Sequence, residues 1–354
     1  MKDFKVIGLM SGSSLDGIDI AYVNFSHDNK KWFFQIIEAG NIPYTDYWKN
    51  KLSEAFNKNE EELRELDLEY GRYLGTITKK FIEKYELYPN LIASHGHTIF
   101  HMPEKHYTLQ IGDGQEIANA SGIITINDFR TEDVKKGGQG APLVPIGDKY
   151  LFADYPICLN IGGIANLSYD MDGKRIAYDI CMANQLLNYL ANKLGYDYDN
   201  NGNMARQGVV NQKLFDTLND NPYYGKKAPK SLGREFFEEY QHQLIDNSDL
   251  SIYDILATAT EYIAYQIAKS TDILEKSKLL ITGGGAKNRF LIERIRNLCK
   301  HEIVIPDTMI IDFKEALIFA FLGALKIEGR INVLSSVTGA SSDSSSGNIY
   351  SPQQ

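Results

Sequence analysis

The sequence predicts an α/β fold built from two similar domains, and three observations indicate it. The chain has 354 residues, which at roughly 100–200 residues per domain corresponds to two domains. Each half opens with β-branched and aromatic runs separated by glycine turns, which is typical of antiparallel strands. Each half then alternates helices with strands. The repeated order predicts a duplicated α/β domain with a ligand-binding cleft between the copies.

In the first half, strands are predicted at 4–9, 18–25 and 32–39, with Asp16-Gly17 as a hairpin-turn signal between the first two. A long helix over 60–85 follows, because apolar residues recur there at helical spacing. These residues are Leu63, Leu66, Tyr70, Leu74, Ile77 and Phe81. The remaining predicted elements are a strand at 91–94, an extended segment at 107–111, a helix near 115–120 and a strand at 123–126.

The second half is predicted to repeat this order. Strands are expected at 157–161, 165–169 and 175–179, broken by Gly162-Gly163 and by Asp172-Gly173. Helical periodicity then marks 254–271, where Leu256, Ala259, Ile263 and Ile267 share one face. The elements expected after it are a strand at 278–282, a helix at 288–297, a strand at 302–305 and a helix at 314–327.

Composition and charge exclude several classes of protein. The net charge of −9 and the pI near 5.4 argue against binding to a phosphate backbone. Cys158, Cys181 and Cys299 are odd in number and far apart, which fits a reducing compartment. The apolar run near the first residue is too short for a signal peptide, and the longest one, 316–325, is about half a membrane span. We therefore expect a soluble cytoplasmic protein that binds neither nucleic acid nor membranes.

Three glycine-rich segments follow predicted strands and suit anion binding. In the first, 8–19, backbone N–H groups and hydroxyls could hold phosphate, while Asp16 or Asp19 could hold hydrated magnesium. An ordinary hairpin turn is the alternative. The other two, 160–166 and 281–288, would let a nucleotide lie against the backbone, or they are plain tight turns. The first lacks the Gly-Lys-Ser/Thr of a Walker loop, and the others lack the GxGxxG pattern.

Histidines and acidic residues supply further candidates, each with a structural alternative. His95, His97 and His101 could bind zinc, although no acidic residue stands at a recognisable spacing. The charged segment 128–133 suits either the rim of a site or a solvated connector. Asp179, at the end of a predicted strand, could be a general base or the N-cap of the next helix.

Taken in this order, these segments resemble the anhydro-N-acetylmuramic acid kinase family over nearly the whole chain. The resemblance rests on segments 8–19, 94–99, 109–112, 128–134, 137–145, 160–163, 229–235, 283–285 and 315–316. The glycine-proline loop 137–145 is the most specific of them. The serine-rich end, 337–350, is also similar to the family's terminus, so we expect it to be ordered despite its composition.

The resemblance implies the fold shared by sugar kinases, actin and heat-shock ATPases, with two ribonuclease-H-like domains and an interdomain cleft. It implies a first domain at 1–130 plus 332–354 and a second at 131–331. The implied activity uses ATP and Mg²⁺. Water opens the 1,6-anhydro ring of anhydro-N-acetylmuramic acid while O6 is phosphorylated, which yields N-acetylmuramic acid 6-phosphate in cell-wall sugar recycling.

The resemblance also implies the site residues. Asp179 and Glu315 correspond to catalytic positions, with Asp179 as the base for the water that attacks C1. Arg130 suits the lactyl carboxylate, because a guanidinium can hold a carboxylate bidentately. Other implied sugar contacts are His95, Thr98, Gln110 and Asn184, and magnesium is assigned to Asp16 and Asp19. The implied nucleotide contacts are Gly8, Ser11, Gly12, Ser13, Ser14, Leu15, Asp16, Gly17, Asn160, Gly162, Gly163, Gly283, Gly284, Gly285 and Asn288.

The sequence departs from the family pattern at three places near the expected sugar side. Where the family has Gly-Pro-Gly, this chain has Cys181-Met182-Ala183, which we expect to form an altered loop that reshapes the sugar pocket. His97 replaces a glutamine of the family, and Asp148 replaces a histidine.

Two alternative functions remain open. One is a kinase of a different sugar or anhydro sugar, and the other is a non-catalytic nucleotide-gated binding module. A homodimer is implied by the resemblance alone.

Overall fold

The computed structural model describes residues 2–12, 15–28 and 31–353. Ser13 and Ser14, two of the implied nucleotide contacts, lie outside the described residues. The chain divides into two units, of which unit one comprises Met1–Leu151 with Phe313–Gln354 and unit two comprises Phe152–Asp312. In the part of the chain that the structure describes, no helix combines the length and the apolar character that crossing a membrane requires.

The strands and helices have the following bounds. The strands are β1 (Lys2–Ser11), β2 (Gly17–His27), β3 (Trp32–Pro43), β4 (Leu91–Ser94), β5 (His97–Met102), β6 (Tyr107–Ile111), β7 (Thr125–Asn127), β8 (Ile157–Ile161), β9 (Ile164–Met171), β10 (Lys174–Met182), β11 (Lys278–Thr282), β12 (Glu302–Val304) and β13 (Asn348–Tyr350). The helices are α1 (Asp46–Ser53), α2 (Glu60–Lys84), α3 (Gly114–Ser121), α4 (Thr131–Lys135), α5 (Pro145–Leu151), α6 (Asn184–Asn192), α7 (Gln212–Asn219), α8 (Arg234–Phe236), α9 (His242–Asp246), α10 (Ile252–Thr271), α11 (Arg289–Leu298), α12 (Thr308–Ile327) and α13 (Ser335–Thr338).

The main sheet of unit one has the strand order β13-β7-β4-β1-β2-β3. β1, β2 and β3 are antiparallel neighbours, whereas β4 is parallel to β1 and β7 is parallel to β4. β13 closes the far edge by antiparallel pairing with β7, so the serine-rich end of the chain leads into this sheet. β5 and β6 form a separate antiparallel hairpin. The meander followed by parallel strands is the ribonuclease-H-like arrangement.

Unit two repeats this arrangement with the order β10-β9-β8-β11-β12. β8, β9 and β10 are antiparallel neighbours, and β11 is parallel to both β8 and β12. The predicted duplication of ribonuclease-H-like domains is therefore confirmed. Because parallel strands end at the same edge, the turns after β8 and β11 lie side by side.

Helices cover both faces of the sheet in unit one. α2 begins at a capping box, in which Asn59 accepts a hydrogen bond from the Glu62 N–H and the Glu62 carboxylate accepts one from the Asn59 N–H. Its apolar stripe, which the helical periodicity predicted, packs with Ile7 and Leu9 of β1. On the other face, α12 packs so closely that a Cβ on Gly8 would overlap the carbonyl oxygen of Ala316.

The boundaries of the units differ from the expected ones. The divisions fall after Leu151 and before Phe313, not after residues 130 and 331. α5 and most of α12 therefore belong to unit one, because α12 packs on β1 and α5 packs on α12. A Cβ on Gly147 of α5 would lie 2.5 Å from Cγ1 of Ile318. These contacts join residues distant in sequence, which periodicity does not reveal.

Candidate functional site

The carboxylate of Asp179 is held by the segment between residues 223 and 232. Its Oδ2 accepts a hydrogen bond from the Leu232 N–H at 2.9 Å, and its backbone N–H donates to the Lys230 carbonyl at 3.2 Å. The Tyr223 hydroxyl donates to the Asp179 carbonyl at 2.6 Å. Among the described residues, none forms a hydrogen bond with Oδ1. The arrangement fixes one carboxylate oxygen and leaves the other available to a ligand or a water molecule.

The environment of Asp179 favours its protonated form. Burial raises the pKa of this carboxyl, and the hydrogen bond from the Leu232 N–H partly opposes that rise. A raised pKa brings a carboxylate closer to the value that suits general base catalysis near neutral pH. The side chain is half-buried, so solvent still reaches it.

Two expectations about the chain around Asp179 are wrong. The strand does not end there, because β10 continues to Met182 through a bulge between Asp179 and Cys181. Asp179 therefore does not cap α6, whose N-cap position is Ala183.

The residues that depart from the family pattern also form no open loop. Cys181 and Met182 end β10, and Ala183 follows directly. All three are 0% exposed and belong to the apolar core of unit two. Burial raises the pKa of the Cys181 thiol, which keeps it protonated. The substitutions at 181–183 therefore change the packing of the core next to Asp179. We had expected them to change the wall of the sugar pocket.

The two glycine turns of unit two come together at the carboxyl ends of β8 and β11. A Cβ on Gly283 would lie 2.6 Å from Oδ1 of Asn160, and one on Gly284 would lie 3.5 Å from Nδ2 of Asn184. Asn184, which we expected at the sugar, donates from Nδ2 to the Ile161 carbonyl at 3.0 Å. Its backbone N–H donates to the Gly162 carbonyl at 3.0 Å. The structure therefore groups Asn184 with the implied nucleotide contacts.

A cavity of about 430 Å³ lies beside these turns within unit two. Asn184, Gly284, Lys287 and Asn288 line it together with the segment 198–201. Asn288 also caps α11, since its Oδ1 accepts a hydrogen bond from the Leu291 N–H at 3.0 Å. An amide-rich cavity at a glycine turn suits a flat heteroaromatic ligand with a polar rim.

The glycines of these turns divide into two groups. Gly283 has a φ of 80°, a conformation that favours glycine, and a Cβ on Gly285 would overlap the side chain of Ile161. By contrast, a Cβ on Gly162, Gly163 or Gly284 would meet its nearest atom at 3.4 to 3.7 Å, which is ordinary contact. The fold itself does not require glycine at these three positions. Their lack of side chains suits the close approach of a ligand to the backbone.

In unit one, Ser11 belongs to a buried hydrogen-bond network. Its Oγ lies 2.6 Å from the Tyr44 hydroxyl and 2.8 Å from Nδ1 of His97, and the Tyr44 hydroxyl also bonds to the Tyr70 hydroxyl. Ser11 is 4% exposed. Burial raises the pKa of Tyr44 to about 12, so this network is uncharged at neutral pH. The Ser11 hydroxyl therefore supports the turn after β1 and is already engaged within the protein.

Other implied contacts in this turn differ in what they do for the fold. Gly8 and Gly17 are buried within the sheet, and a Cβ on Gly17 would lie 2.5 Å from the Ile42 carbonyl oxygen. The structure thus gives both glycines a packing reason. Gly12 and Leu15 are half-buried in the turn, where Leu15 adopts a φ of 59°. Asp16, directly after Leu15, is exposed.

His95 and Arg130 are brought together at the end of β4. His95 Nδ1–H donates to the Gly96 carbonyl at 3.0 Å, so Nε2 is the acceptor for Arg130, whose Nη2 lies 2.8 Å away. Arg130 Nη1 donates to the Gly140 carbonyl at 2.8 Å. Burial and the charge of Arg130 hold the pKa of His95 well below its usual range. A neutral His95 therefore orients the guanidinium.

The zinc alternative for the three histidines finds no support. In the described ranges, no three or more His, Cys, Asp or Glu side chains lie together so that they could hold a metal ion. The histidines are engaged in hydrogen bonds instead, with His95 bonded to Arg130, His97 to Ser11, and Nδ1 of His101 to Oγ1 of Thr108 at 3.1 Å.

Thr98 and Gln110 lie opposite each other on the β5–β6 hairpin. Both are half-buried, and the Gln110 amide donates to Oγ1 of Thr108 at 2.8 Å. A register shift between Thr98 and Phe100 marks a bulge at this point of the hairpin. The structure therefore joins two of the implied sugar contacts on one small element.

Glu315 lies among three charged groups of unit one. Desolvation by the surrounding protein raises the pKa of its carboxyl, and the negative charge of Asp19 raises it further. The positive charges of Arg130 and Lys314 lower it. Its side chain is exposed to solvent, so water screens these effects. Asp19 is half-buried and accepts a hydrogen bond from the Asn41 amide at 2.8 Å.

The residues assigned to magnesium have the donor type that this ion prefers. Asp16 and Asp19 supply carboxylate oxygens, and Mg²⁺ is commonly held by one or two carboxylates together with water and substrate phosphates. The exposure of Asp16 leaves its carboxylate accessible to a hydrated ion. The residues present therefore fit a magnesium ion that arrives with a nucleotide.

His97 should make the stability of this protein depend on pH. Burial lowers its pKa to about 4, against about 6.5 in the unfolded chain. The unfolded state therefore binds the proton more readily, so stability is complete above pH 6.5 and is lost as the pH falls toward 4. At pH 5 the loss is on the order of 2 kcal/mol. We expect His97→Gln, which keeps a hydrogen-bonding group beside Ser11, to remove this loss.

Urea unfolding at pH 7.5 and pH 5 measures the effect. The difference in unfolding free energy between the two pH values should be smaller in His97→Gln than in the wild type. The matched control is His106→Gln, which changes an exposed histidine of the same unit and should keep the wild-type difference. Equal pH dependence in all three proteins would contradict the assignment to His97.

Several residues that shape the site were not identified from the sequence. Tyr223 and Leu232 hold Asp179, and Tyr44 holds Ser11, but none carries a local signal because each partner is distant in sequence. Lys314 did carry a signal. It lies three residues after Ile311 and four before Ile318, so helical periodicity assigns this charged residue to the buried face of α12.

A family model and the curated relatives of this chain carry the same family name. A family model described as anhydro-N-acetylmuramic acid kinase matches residues 4–352. The anhydro-N-acetylmuramic acid kinase of Pasteurella multocida (strain Pm70) is 36% identical, over 97% of this chain and 96% of its own length. The protein of the same name from Coxiella burnetii (strain Dugway 5J108-111) is 36% identical, over 98% of this chain and 97% of its own length.

Among solved structures, the activator of the 2-hydroxyisocaproyl-CoA dehydratase from Clostridium difficile with bound ADPNP is similar, with a TM-score of 0.46 and 15% identity. That similarity covers 92% of this chain and 96% of the other.

Proposed function

Because the chain belongs to the anhydro-N-acetylmuramic acid kinase family, we propose that it opens the 1,6-anhydro ring of anhydro-N-acetylmuramic acid with water and phosphorylates O6 at the expense of ATP. The product is N-acetylmuramic acid 6-phosphate, and the setting is the recycling of cell-wall sugar in the cytoplasm. The observation that carries the proposal is the family match over residues 4–352, which includes Asp179 with one carboxylate oxygen fixed and the other open.

Asp179 is the base in this proposal. It takes a proton from water as the water oxygen bonds to C1, the C1–O6 bond breaks, and O6 takes the γ-phosphoryl group of ATP, which releases ADP. The hydrogen bond from Leu232 to Oδ2 orients the carboxylate, and Oδ1 receives the proton. The attack on C1 follows the logic of an inverting glycosidase, with phosphoryl transfer in place of an acid at the leaving oxygen.

Arg130 is proposed to hold the lactyl carboxylate. A guanidinium has five N–H groups. Nε and Nη2 each direct one toward His95, and Nη1 directs one to the Gly140 carbonyl. One N–H remains on each terminal nitrogen, which is enough for an end-on pair of bonds to a carboxylate. Thr98, Gln110 and Glu315 are proposed to contact the sugar hydroxyls, with His95 setting the orientation of Arg130.

ATP is proposed to bind at the glycine turns after β8 and β11 and at the turn after β1. Gly162, Gly163 and Gly284 support this assignment, because the fold does not itself require glycine there. Asp16 and Asp19 would hold Mg²⁺, which neutralises charge on the phosphates during transfer. We assign Asn184 to the nucleotide side because it packs against the turn at Gly284.

A screen of ATP consumption against anhydro and free amino sugars tests the proposal. Phosphorus NMR should show a sugar 6-phosphate with anhydro-N-acetylmuramic acid, and reaction in ¹⁸O-labelled water should place the label at the anomeric carbon. An unlabelled sugar phosphate would mean phosphorylation of a free hydroxyl. Turnover with another sugar only would favour the alternative kinase, and turnover with none would favour a nucleotide-gated binding module. The resemblance also implies a homodimer, which sedimentation of the active protein tests.

We expect Asp16→Asn to weaken the use of Mg-ATP more than the binding of sugar. The amide keeps the shape of the exposed side chain but is a poor magnesium ligand. The KM for ATP at low magnesium should rise about tenfold or more, which corresponds to about 1.4 kcal/mol. The control, Asp46→Asn, changes another exposed carboxylate of unit one. An equal loss of sugar and ATP binding with a lowered Tm would instead support a purely structural hairpin.

A further inference from the structure

We propose that Asp148 and Lys314 form a positioning pair for Glu315, in which a buried ion pair fixes the turn of α12 that carries Glu315 and sets the charge beside it. The inference deepens the proposed function and rests on it only in taking Glu315 to act at the sugar. It assigns a role to two residues outside the substrate contacts.

The two charged groups form a close, buried pair. Lys314 Nζ lies 2.7 Å from Oδ1 of Asp148, and each side chain is 6% exposed. Two charges withdrawn from water are costly unless each neutralises the other, so such a pair is weak grounds for a stabilising role. A buried pair directly beside a proposed site residue can instead fix the position of that residue and set the charge next to it.

The pair lies directly after a kink in α12. The helix is interrupted at Phe313, whose φ of −117° and ψ of 15° are not helical, and Lys314 follows directly. Gly8 of β1 packs against the backbone at Ala316, two residues after Lys314, and Gly147 of α5 packs against Ile318. The close packing fixes α12 from Ala316 onward, and the ion pair ties Lys314 to α5. Glu315 lies between these two anchors.

The charges around Glu315 make its carboxylate sensitive to this pair. The charges of Asp19 on β2, Arg130 after β7 and Lys314 on its own helix all act on the pKa of this carboxyl. Lys314 favours the ionised carboxylate, whereas Asp19 opposes it. Asp148 adjoins Lys314 and offsets part of its positive charge. Removing Lys314 should therefore raise the pKa of Glu315, and neutralising Asp148 should lower it.

The test measures the titration of Glu315 in the full chain by carboxyl ¹³C NMR, with Glu315→Gln to assign the signal. We expect Lys314→Met to move the midpoint up and Asp148→Asn to move it down, each by on the order of half a pH unit. Lys51→Met, which removes a lysine from the partly exposed pair with Glu69, should leave the midpoint unchanged.

A structural pair would give a different result. If both single variants lowered the Tm while the Glu315 midpoint stayed fixed or moved the same way in both, the proposal would be overturned. Should either single variant fail to fold, the reversed pair Asp148→Lys/Lys314→Asp retains an ion pair and places a negative charge beside Glu315. We expect it to raise the midpoint, and an unshifted midpoint would overturn the proposal.

The titration needs no turnover, so the two proposals fail separately. If the wild type forms no sugar phosphate but the two variants move the Glu315 midpoint in opposite directions as expected, the proposed function is overturned and the positioning pair is kept. Normal turnover with an unshifted midpoint would do the reverse.

Discussion

The variant Asp179→Asn is expected to form sugar phosphate about 10²–10⁴ times more slowly than the wild type, while still binding ATP and sugar. An amide of the same shape still offers Oδ1 or Nδ2 where the carboxylate stood, and its oxygen can accept the Leu232 N–H, but it cannot take a proton from water. Isothermal titration with each ligand, together with single-turnover phosphorus NMR, separates binding from chemistry.

The chain offers a matched control for this substitution. Asp254 also lies in unit two and its Oδ1 accepts one backbone N–H, from Val209 at 2.7 Å. Asp254→Asn makes the same chemical change without a proposed role in catalysis, so its kcat should remain close to that of the wild type. Wild-type turnover by Asp179→Asn, or equal losses in the two variants, would remove Asp179 as the base.

The raised pKa of Asp179 adds a prediction about pH to the same experiment. A base must be ionised before it accepts a proton, so the wild-type kcat should fall as the pH drops through the raised pKa of this carboxyl. The residual rate of Asp179→Asn should lack that acidic limb.

Replacing Gly8 with alanine is expected to give the largest loss of stability among the single substitutions considered. A Cβ there would overlap the Ala316 carbonyl oxygen and lie 2.9 Å from the Ala320 N, and both atoms belong to the backbone of α12. The helix must therefore move away from β1. Overpacking of this kind costs about 1–3 kcal/mol, so the Tm should fall by roughly 2–12 °C.

Because the displaced turn also carries Glu315, Gly8→Ala should lower kcat for the sugar as well as the Tm. Gly40→Ala is the control within the same sheet, since the nearest atom to its Cβ would be 4.0 Å away, in the Phe81 ring. That variant should keep both properties. If Gly8→Ala raised only the KM for ATP and left the Tm unchanged, Gly8 would be a nucleotide contact and the packing role would be wrong.

The parts of this fold that could be predicted are those that depend on short stretches of sequence. Apolar periodicity over 60–85 predicted α2 to within one residue, because one face of a helix must be buried. The glycines after the first strand of unit two predicted the turn between β8 and β9, because glycine favours tight turns. Asn288 was expected to open a helix, and it is the N-cap of α11.

The features that could not be predicted depend on contacts between distant residues. Ser11 is occupied by Tyr44, which is 33 residues away, and by His97, which is 86 residues away, so its sequence context resembles a phosphate turn while its hydroxyl serves the fold. The Cys181 segment was expected to be a loop because the family has glycine and proline there. Instead, Cys181 and Met182 extend β10, and their apolar side chains are buried in the core.

The division of the chain has a consequence for the order in which its parts form during synthesis. Unit two is one continuous stretch, Phe152–Asp312, whereas unit one needs α12 and β13 from beyond it. The Phe321 ring of α12 meets the Phe25 ring at a tilt and the Trp32 ring edge-on, with ring centroids 5.5 and 5.0 Å apart. β2 and β3 therefore leave the ribosome long before the helix that covers their apolar face. At roughly 5–20 residues per second, that face waits for some tens of seconds. The unit that is synthesised first is therefore the last to complete its core.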